Sequence, residues 1–419
     1  MNFAGRSIYA RQTILWGIMG FIGTLLVVMV GCSDTGTEPT DDPTPESAAT
    51  SFDATRVDSI EGLEFLDKAM LENHLGGARF RLAFVHEKHL YVTGTEIYPA
   101  CLDLTQGDEG LNGGYGDISS PLFSPDGSMI VYGGERYGTT GKNVSFCAIL
   151  PPSLDGPIKR LTVEHPESSA GEPRWLVGGG ETRIYFINAF VNTAIGIDEN
   201  AAELSLDGET YYAVLSGETI QGPYETNFPG AFKGGISKDG VWVGTAYQKA
   251  ALYNTQTDSL HLLGRQIQWC NASINPFNGG PNTDYLMMLS FGNINDQNDL
   301  DTGRLIISVE NDTLYEMGHE NIWITNAENK MVWHSKKPAG YMTWELAEWS
   351  THPAYATALG KTRNMEDRSE FGHLFIIRLP DLTSNDESVL AESDDDDNVK
   401  VIAASLNYNR TYSHLWVEQ

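Results

Sequence analysis

The sequence predicts an all-β fold, a β-propeller of about six blades over residues 79–419, and three features support it. This region contains many short runs of alternating or wholly apolar residues, which are typical of strands. Clusters of Gly, Asn, Asp and Pro separate the runs, and such clusters form turns. The region is also longer than a single β-sandwich, whereas its length suits a propeller.

The predicted strands are many and short, as the blades of a propeller require. They are Phe80–Phe84, His89–Val92, Met129–Tyr132, Val144–Leu150, Ile184–Ile187, Val241–Ala246, Tyr285–Ser290, Leu305–Val309, Ile322–Thr325, Leu374–Leu379 and Val399–Ala403.

One turn belongs to a degenerate repeat. In Phe123–Tyr132 an aromatic residue leads into Pro125-Asp126-Gly127, and a strand follows. Proline presets the first turn dihedral, aspartate bonds locally and glycine accepts a positive φ. Weaker copies occur at Ile236–Val243, Pro173–Trp175, Glu348–Thr357 and Ser413–Val417. The motif resembles the PD40 repeat of TolB-like propellers, which implies a propeller fold but no particular activity.

The N-terminus has the pattern of a secretory signal. Arg6 and Arg11 precede an almost wholly apolar run, Ile14–Val30, which ends at Gly31-Cys32. This ending resembles the lipobox of bacterial lipoproteins, which implies a signal peptide at residues 1–31 and acylation of Cys32. Two or more acyl chains would anchor the protein stably to a membrane. An uncleaved signal anchor is the alternative, because the apolar run nearly reaches the length of a membrane span.

Residues 32–51 are predicted to be a disordered, acidic, Pro/Thr-rich tether, because they contain neither a basic nor an aromatic residue. Ser33 stands where many lipoproteins retained in the inner membrane carry an acidic residue. By resemblance to that sorting rule, we expect an outer-membrane lipoprotein. Residues 52–78 are predicted to form a short helical lead-in, because apolar residues from Val57 to Met70 recur every three or four positions and Gly76-Gly77 ends the pattern.

A second resemblance covers the C-terminal part of the chain. It rests on Trp269–Ser273, Ile322–Trp333, Trp344–Pro353 and His414–Val417, taken in that order. These segments are similar to the C-terminal region of a paralogous lipoprotein family of Fibrobacter-type fibre-degrading bacteria. The resemblance implies a cell-envelope lipoprotein and carries over no catalytic residue.

Composition excludes one class of partner and leaves the redox state open. The chain has 27 basic and 56 acidic side chains, a net charge of −29 at pH 7, and nucleic-acid binding requires a basic surface. After Cys32 the cysteines are Cys101, Cys147 and Cys270. In an oxidising compartment they allow one disulfide and one remaining thiol, or three buried thiols.

The sequence contains no recognisable catalytic motif. It lacks a Gly-x-Ser-x-Gly elbow, a phosphate-binding loop, a dinucleotide fingerprint and His-Glu-x-x-His. We therefore assign no catalytic residue, although paired carboxylates for polysaccharide cleavage would become visible only in the fold. His86 and His89 are expected on opposite faces of a strand, a poor geometry for sharing a metal.

No metal site or cofactor is predicted, although weak Ca²⁺ binding remains open at two acidic stretches. Asn293–Gly303 is rich in oxygen ligands but lacks the spacing of an EF-hand. Glu392–Asp397 includes four consecutive aspartates and is expected to be a self-repelling loop.

The sequence thus favours a non-enzymatic, lipid-anchored envelope protein that recognises a protein or glycan through its propeller. Tyr341 and Trp344 are the candidate partner-binding residues, because they stand beside Gly340 and just before a blade-like strand. Aromatic rings displayed on a surface commonly anchor partners. An envelope enzyme acting on polysaccharide and a purely structural envelope component are the alternatives.

Overall fold

Six antiparallel sheets surround a common axis as a six-bladed β-propeller, which confirms the predicted fold. The structure is a computed structural model. It describes residues 46–105, 115–136, 143–165, 169–178, 180–188, 208–247, 249–263, 269–276, 284–291, 319–341, 343–363, 370–380, 382, 391–392, 398–406 and 412–419. The predicted signal peptide, Cys32 and most of the predicted tether lie outside these residues. In the described part of the chain, no helix has the length and apolarity needed to cross a membrane.

The first strands of the chain are not blade strands but edge strands, which we call the belt. The belt consists of β1 (Glu46–Ala48), β2 (Thr50–Phe52), β3 (Thr55–Val57) and β4 (Leu63–Phe65). The helix α1 (Lys68–His74) follows.

Apart from the belt strands, the first three blades have four strands each, and blade 1 receives its fourth strand from the C-terminus of the chain. Blade 1 contains β5 (Phe80–His86), β6 (His89–Gly94) and β7 (Cys101–Asp103); blade 2 contains β8 (Tyr115–Phe123), β9 (Met129–Arg136), β10 (Asn143–Ile149) and β11 (Ile158–Val163); blade 3 contains β12 (Gly171–Gly178), β13 (Glu181–Ile187), β14 (Thr210–Ser216) and β15 (Thr219–Glu225).

The remaining strands form blades 4 to 6 and complete blade 1. Blade 4 contains β16 (Trp242–Tyr247), β17 (Lys249–Asn254) and β18 (Ser259–Leu263); blade 5 contains β19 (Trp269–Ile274), β20 (Leu286–Phe291), β21 (His319–Thr325) and β22 (Met331–Lys336); blade 6 contains β23 (Thr343–Trp349), β24 (Tyr355–Arg363), β25 (Glu370–Arg378) and β27 (Asn398–Leu406); β26 (Ala391–Glu392) and β28 (Ser413–Val417) complete the set. The innermost segment of blade 4 runs from Gly234 to Ser237, beside β16.

The ring closes by pairing the two ends of the domain. The last strand, β28, is the innermost strand of blade 1 and pairs with β5 from Ser413↔Phe84 to Val417↔Phe80. An apolar cluster fills the junction between each pair of neighbouring blades. The core is therefore distributed around the axis rather than gathered in one place.

The belt lays one strand on the outer edge of four successive blades. Strand β1 pairs with β15 of blade 3, β2 with β11 of blade 2, β3 with β7 of blade 1, and β4 with β27 of blade 6. Phe52 packs against the core between blades 1 and 2, and Val57 and Phe65 pack against the core between blades 6 and 1. The belt thus ties four blades together from outside.

The N-terminal segment therefore differs from the sequence prediction. The last residues of the predicted tether are paired in β1 and β2, and the helix is confined to Lys68–His74, where the Asp67 carboxylate caps the N–H groups of Ala69 and Met70. The apolar residues read as helical, from Val57 to Leu66, do pack against the core, but mostly in extended conformation. Strand pairing with the blades overrides the local helical spacing.

The repeat-like turns occupy equivalent places in the fold. Each connects the innermost strand of a blade to the second strand, in blades 2, 4 and 6. In blade 2, Asp126 accepts hydrogen bonds from the Ser124 hydroxyl (2.6 Å) and the Ser128 N–H (3.0 Å). Gly127 has φ +70°, and a Cβ there would lie 2.5 Å from the Trp416 ring of blade 1. Glycine is therefore required both by the turn and by the neighbouring blade.

Candidate functional site

A pocket of about 130 Å³ opens on the propeller axis. Its lining comes from the innermost strand of every blade and from the turns that follow these strands, so the pocket lies at the end of the propeller where the inner strands terminate. The walls combine apolar side chains, among them Phe123, Trp175, Ile236 and Ile274, with polar and charged ones. Concave sites with apolar walls and a few polar groups are the usual form of ligand pockets.

The repeat-like turns form the rim of this pocket. They contribute Pro125 from blade 2, Lys238 from blade 4 and Thr351 from blade 6, and Pro276 of blade 5 adds to them. Lys238 is exposed. Loops on a rigid scaffold can vary without disturbing the core, so a rim of this kind suits recognition.

A buried ion pair crosses the axis inside the pocket. Arg174 of blade 3 donates from Nη1 to Oε2 of Glu348 on blade 6 at 3.1 Å, and both side chains are largely shielded from solvent. Arg174 Nε also donates to the carbonyl of Lys233 at 2.7 Å. Blades 3 and 6 are opposite each other in a ring of six, so this axial ion pair links the two halves of the propeller.

Glu348 is held by neighbours as well as by Arg174. The Ser273 hydroxyl donates to Glu348 Oε1, and Trp349 Nε1 donates to the Ser273 carbonyl at 2.9 Å. Burial raises the pKa of Glu348, although Arg174 and Ser273 act to lower it; the nearby charge of Glu172 acts to raise it further. The pKa of this carboxyl group therefore reflects two opposing effects, desolvation by burial and pairing with Arg174 and Ser273.

His414 is fixed in its neutral form at the same site. The N–H of Phe123 donates to His414 Nδ1 at 3.0 Å, and the ring also hydrogen bonds to the backbone of Trp349. Burial and the charge of Arg174 lower the pKa of His414 to about 3. The imidazole thus connects blades 1, 2 and 6 and carries no charge at neutral pH.

The inner strands bend around the axis through bulges. Strands β8, β12, β19 and β23 each contain a register shift beside a non-glycine residue of positive φ: Ser120, Glu172, Asn271 and Leu346. Bulges re-aim side chains and are common near functional sites. Here they are followed directly by the strand segments that line the pocket.

The two sequence-predicted binding residues lie elsewhere, in the core between blades 5 and 6. Trp344 is 0% exposed, and its ring packs edge-to-face with the Phe375 ring, with 5.1 Å between the ring centroids. Tyr341 is 9% exposed and its hydroxyl lies 2.8 Å from His373 Nδ1. The expectation that these rings are displayed is wrong, because the strand that follows Gly340 turns them into the junction between two blades.

The other candidate ligands are also separated from the pocket. His86 and His89 face each other across the β5–β6 hairpin, on one face rather than on opposite faces, and His89 Nδ1 lies 2.8 Å from Asp103. Within the described ranges, no group of three or more His, Cys, Asp or Glu residues is placed to hold a metal. Asn293–Gly303 and residues 393–397 lie outside the described residues.

Two of the three cysteines that follow Cys32 are free thiols buried in different blades. Cys101 belongs to blade 1 and Cys147 to blade 2, and burial raises the pKa of each thiol to about 12. At neutral pH both are protonated, and a protonated thiol is neither a nucleophile nor a metal ligand.

Sequence reasoning missed the residues that build the pocket, although it had singled out their segments. Arg174, Glu348, Ser273 and His414 all belong to stretches that drew attention only as repeats or resemblances. The available signal was chemical: an arginine and a glutamate on strands that line the propeller axis need a partner when they are buried. Their separation along the chain concealed that they pair with each other.

The comparisons with known proteins assign this chain to no family. No protein-family profile matches the chain, and no curated protein matches it. Among solved structures, the crystal structure of an ACO/RPE65 chimera is similar over 81% of this chain and 72% of that one, with 12% identity and a TM-score of 0.35. The tricorn protease is similar over 75% of this chain and 36% of that one, with 9% identity and a TM-score of 0.27. Likenesses this distant carry no information about activity.

Proposed function

We propose that this protein is a lipid-anchored binding or scaffold protein of the bacterial cell envelope, and that it recognises a protein or glycan partner at the axial pocket. The observation that carries the proposal is the pocket itself, which all six blades line. A propeller fold has the capacity for protein interaction. The lipid anchor and the outer-membrane location rest on Gly31-Cys32 and Ser33.

The geometry favours binding over chemistry. The polar side chains of the pocket are already hydrogen bonded within the protein. Arg174 and Ser273 both donate to Glu348, and His414 accepts from the N–H of Phe123. These bonds stabilise a preformed cavity. A preformed cavity lowers the entropic cost of binding, because little has to be ordered when the ligand enters. Apolar walls would supply affinity, and the exposed Lys238 at the rim would discriminate between charged and neutral partners.

The anchor is tested by replacing Cys32 with serine. The variant is expected to lose palmitate labelling and to leave the membrane fraction, because no acyl chain can be attached to serine by the lipoprotein pathway. Cell fractionation and labelling measure this, with Ser33→Ala as the matched control that keeps the cysteine. Unchanged labelling and membrane association of Cys32→Ser would exclude the lipid anchor.

The pocket is tested by charge reversal at its rim. We expect Lys238→Glu to weaken retention of an envelope protein or glycan by about tenfold, a loss of roughly 1.4 kcal/mol. The measurement is pull-down of cross-linked envelope proteins and binding to a glycan panel, with the full chain in detergent.

Lys88→Glu is the control for this experiment. Lys88 is exposed in the turn that follows β5. The opposite end of β5 contacts the pocket rim, because Arg81 donates a hydrogen bond to the Gly127 carbonyl there. Both variants change the net charge equally, but only Lys238 lines the pocket. Equal retention by the two variants would refute recognition at this rim.

One observation favours an enzyme acting on polysaccharide as a second candidate. Glu348 has a raised pKa on the axis, and Glu172 is near enough to contribute to it. Paired carboxylates are the groups used for glycoside hydrolysis. If this candidate is correct, the protein releases sugars from envelope or plant polysaccharides, and Glu348→Gln abolishes the release.

A further inference from the structure

Among the described residues, five of the six blades carry a fifth strand on their outer edge, and blade 4 does not. The belt covers blades 3, 2, 1 and 6, and β26 covers the outer strand β22 of blade 5. Strand β18 is the outermost strand of blade 4 and, among the described residues, pairs only with β17. We call the unpaired side of β18, Ser259–Leu263, the open edge.

The open edge lacks the features that normally protect an edge strand. Its sequence, Ser-Leu-His-Leu-Leu, contains no lysine, proline or carboxylate. Leu260 is 43% exposed, and only it and Met70 are exposed large hydrophobics within the described ranges. An uncovered strand with free N–H and C=O groups is a template for pairing with another chain.

The two faces of β18 have different environments. Leu263 is 1% exposed and packs in the core between blades 4 and 5. Leu260 and Leu262 point to the opposite face because side chains alternate along a strand. Leu260 is paired with Tyr253, whose ring belongs to the cluster between blades 3 and 4. An added strand would therefore extend an existing apolar surface.

We infer that the open edge binds an extended polypeptide segment of a partner protein, which adds to blade 4 as an antiparallel fifth strand. The chain itself shows the mode of binding, because each belt strand is three residues long and pairs antiparallel with the outer strand of its blade. In such additions, main-chain hydrogen bonds provide affinity and side-chain contacts provide specificity.

The belt also indicates the chemistry of the partner segment. Phe52, Val57 and Phe65 each bring an apolar side chain to the core beneath their strand. The partner segment should likewise place an apolar side chain against Leu260 and Leu262 and have no proline at the paired positions. A second copy of this chain fits less well, since two five-residue edges bury far less than the roughly 1,200 Å² of a stable dimer.

The test is selection from a displayed library of random decapeptides on the full chain in detergent. We expect enrichment of peptides with alternating apolar residues and no central proline, and slower amide hydrogen exchange at residues 259–263 when these peptides bind. Leu260→Lys should weaken their binding by about tenfold or more, because a charge on this face cannot be covered by an apolar side chain.

The control is Met70→Lys, which places the same charge on the other exposed large hydrophobic, in α1. It should bind the selected peptides as the native protein does, and circular dichroism should show both variants folded. Three outcomes would overturn the inference: no enriched peptide, enriched peptides that Leu260→Lys retains fully, or a dimer through β18 detected by light scattering without peptide.

Discussion

Replacing Arg174 with methionine is expected to destabilise the propeller by about 3–5 kcal/mol at neutral pH, the usual cost of leaving one charge of a buried pair uncompensated. Glu348 would lose its 3.1 Å partner while it stays buried, so desolvation would dominate its pKa. The loss should appear in the free energy of unfolding measured by urea denaturation.

The pH dependence of this deficit has a defined sign. Without Arg174, the folded-state pKa of Glu348 rises further above its unfolded value of about 4.3. The penalty is then complete above the folded-state pKa and shrinks as pH falls toward the unfolded value, because the folded protein binds the extra proton. A deficit that stays constant from pH 7.5 to pH 5 would contradict an uncompensated Glu348.

Two variants separate the ion pair from a general effect of losing arginine. The double variant Arg174→Met with Glu348→Met should recover much of the stability, because apolar replacement of a buried pair is often neutral or stabilising. Arg56→Met is the matched control, since Arg56 is 49% exposed and its ion pairs, at 3.7 and 3.9 Å, are on the surface. It should change stability by less than about 1 kcal/mol.

The parts of the fold that the sequence could predict are those encoded by local pattern. Alternating apolar runs and the Pro125-Asp126-Gly127 turn suffice for strands and turns, because a two-residue period and a positive φ are local requirements. The confirmed propeller follows from the number of these strands and the length of the region that contains them. The axial ion pair could not be predicted from the sequence, because Arg174 and Glu348 come together only when the six blades close into a ring.

The belt was hidden for a related reason. Its strands read Glu-Ser-Ala, Thr-Ser-Phe, Thr-Arg-Val and Leu-Glu-Phe, which are too short and too polar to show a strand period. They become strands because an outer edge is available to pair with them, and such pairing depends on context more than on intrinsic propensity. The same context, an available edge, is what marks β18 as a binding site.

Trp344 shows how one residue type supports opposite interpretations. A tryptophan beside Gly340 and before a strand suits a displayed binding residue, yet the same position at the start of an inner strand suits packing between blades. The structure places the ring at 0% exposure beside Phe375, in a cluster that includes Trp333 and Trp349. Large aromatic side chains contribute most where they are fully buried.

Trp344→Ala is therefore expected to destabilise the domain by about 3–5 kcal/mol, the range for removing a large buried aromatic side chain from a core. Tyr341→Phe is the matched control in the same cluster; it removes only the hydroxyl 2.8 Å from His373 and should cost about 0.5–1.5 kcal/mol. Urea denaturation of both variants measures the difference. If Trp344 were displayed for binding, its replacement would leave stability within about 0.5 kcal/mol and would weaken partner retention instead. Because the ring has no exposed surface for a partner to contact, we expect the loss in stability.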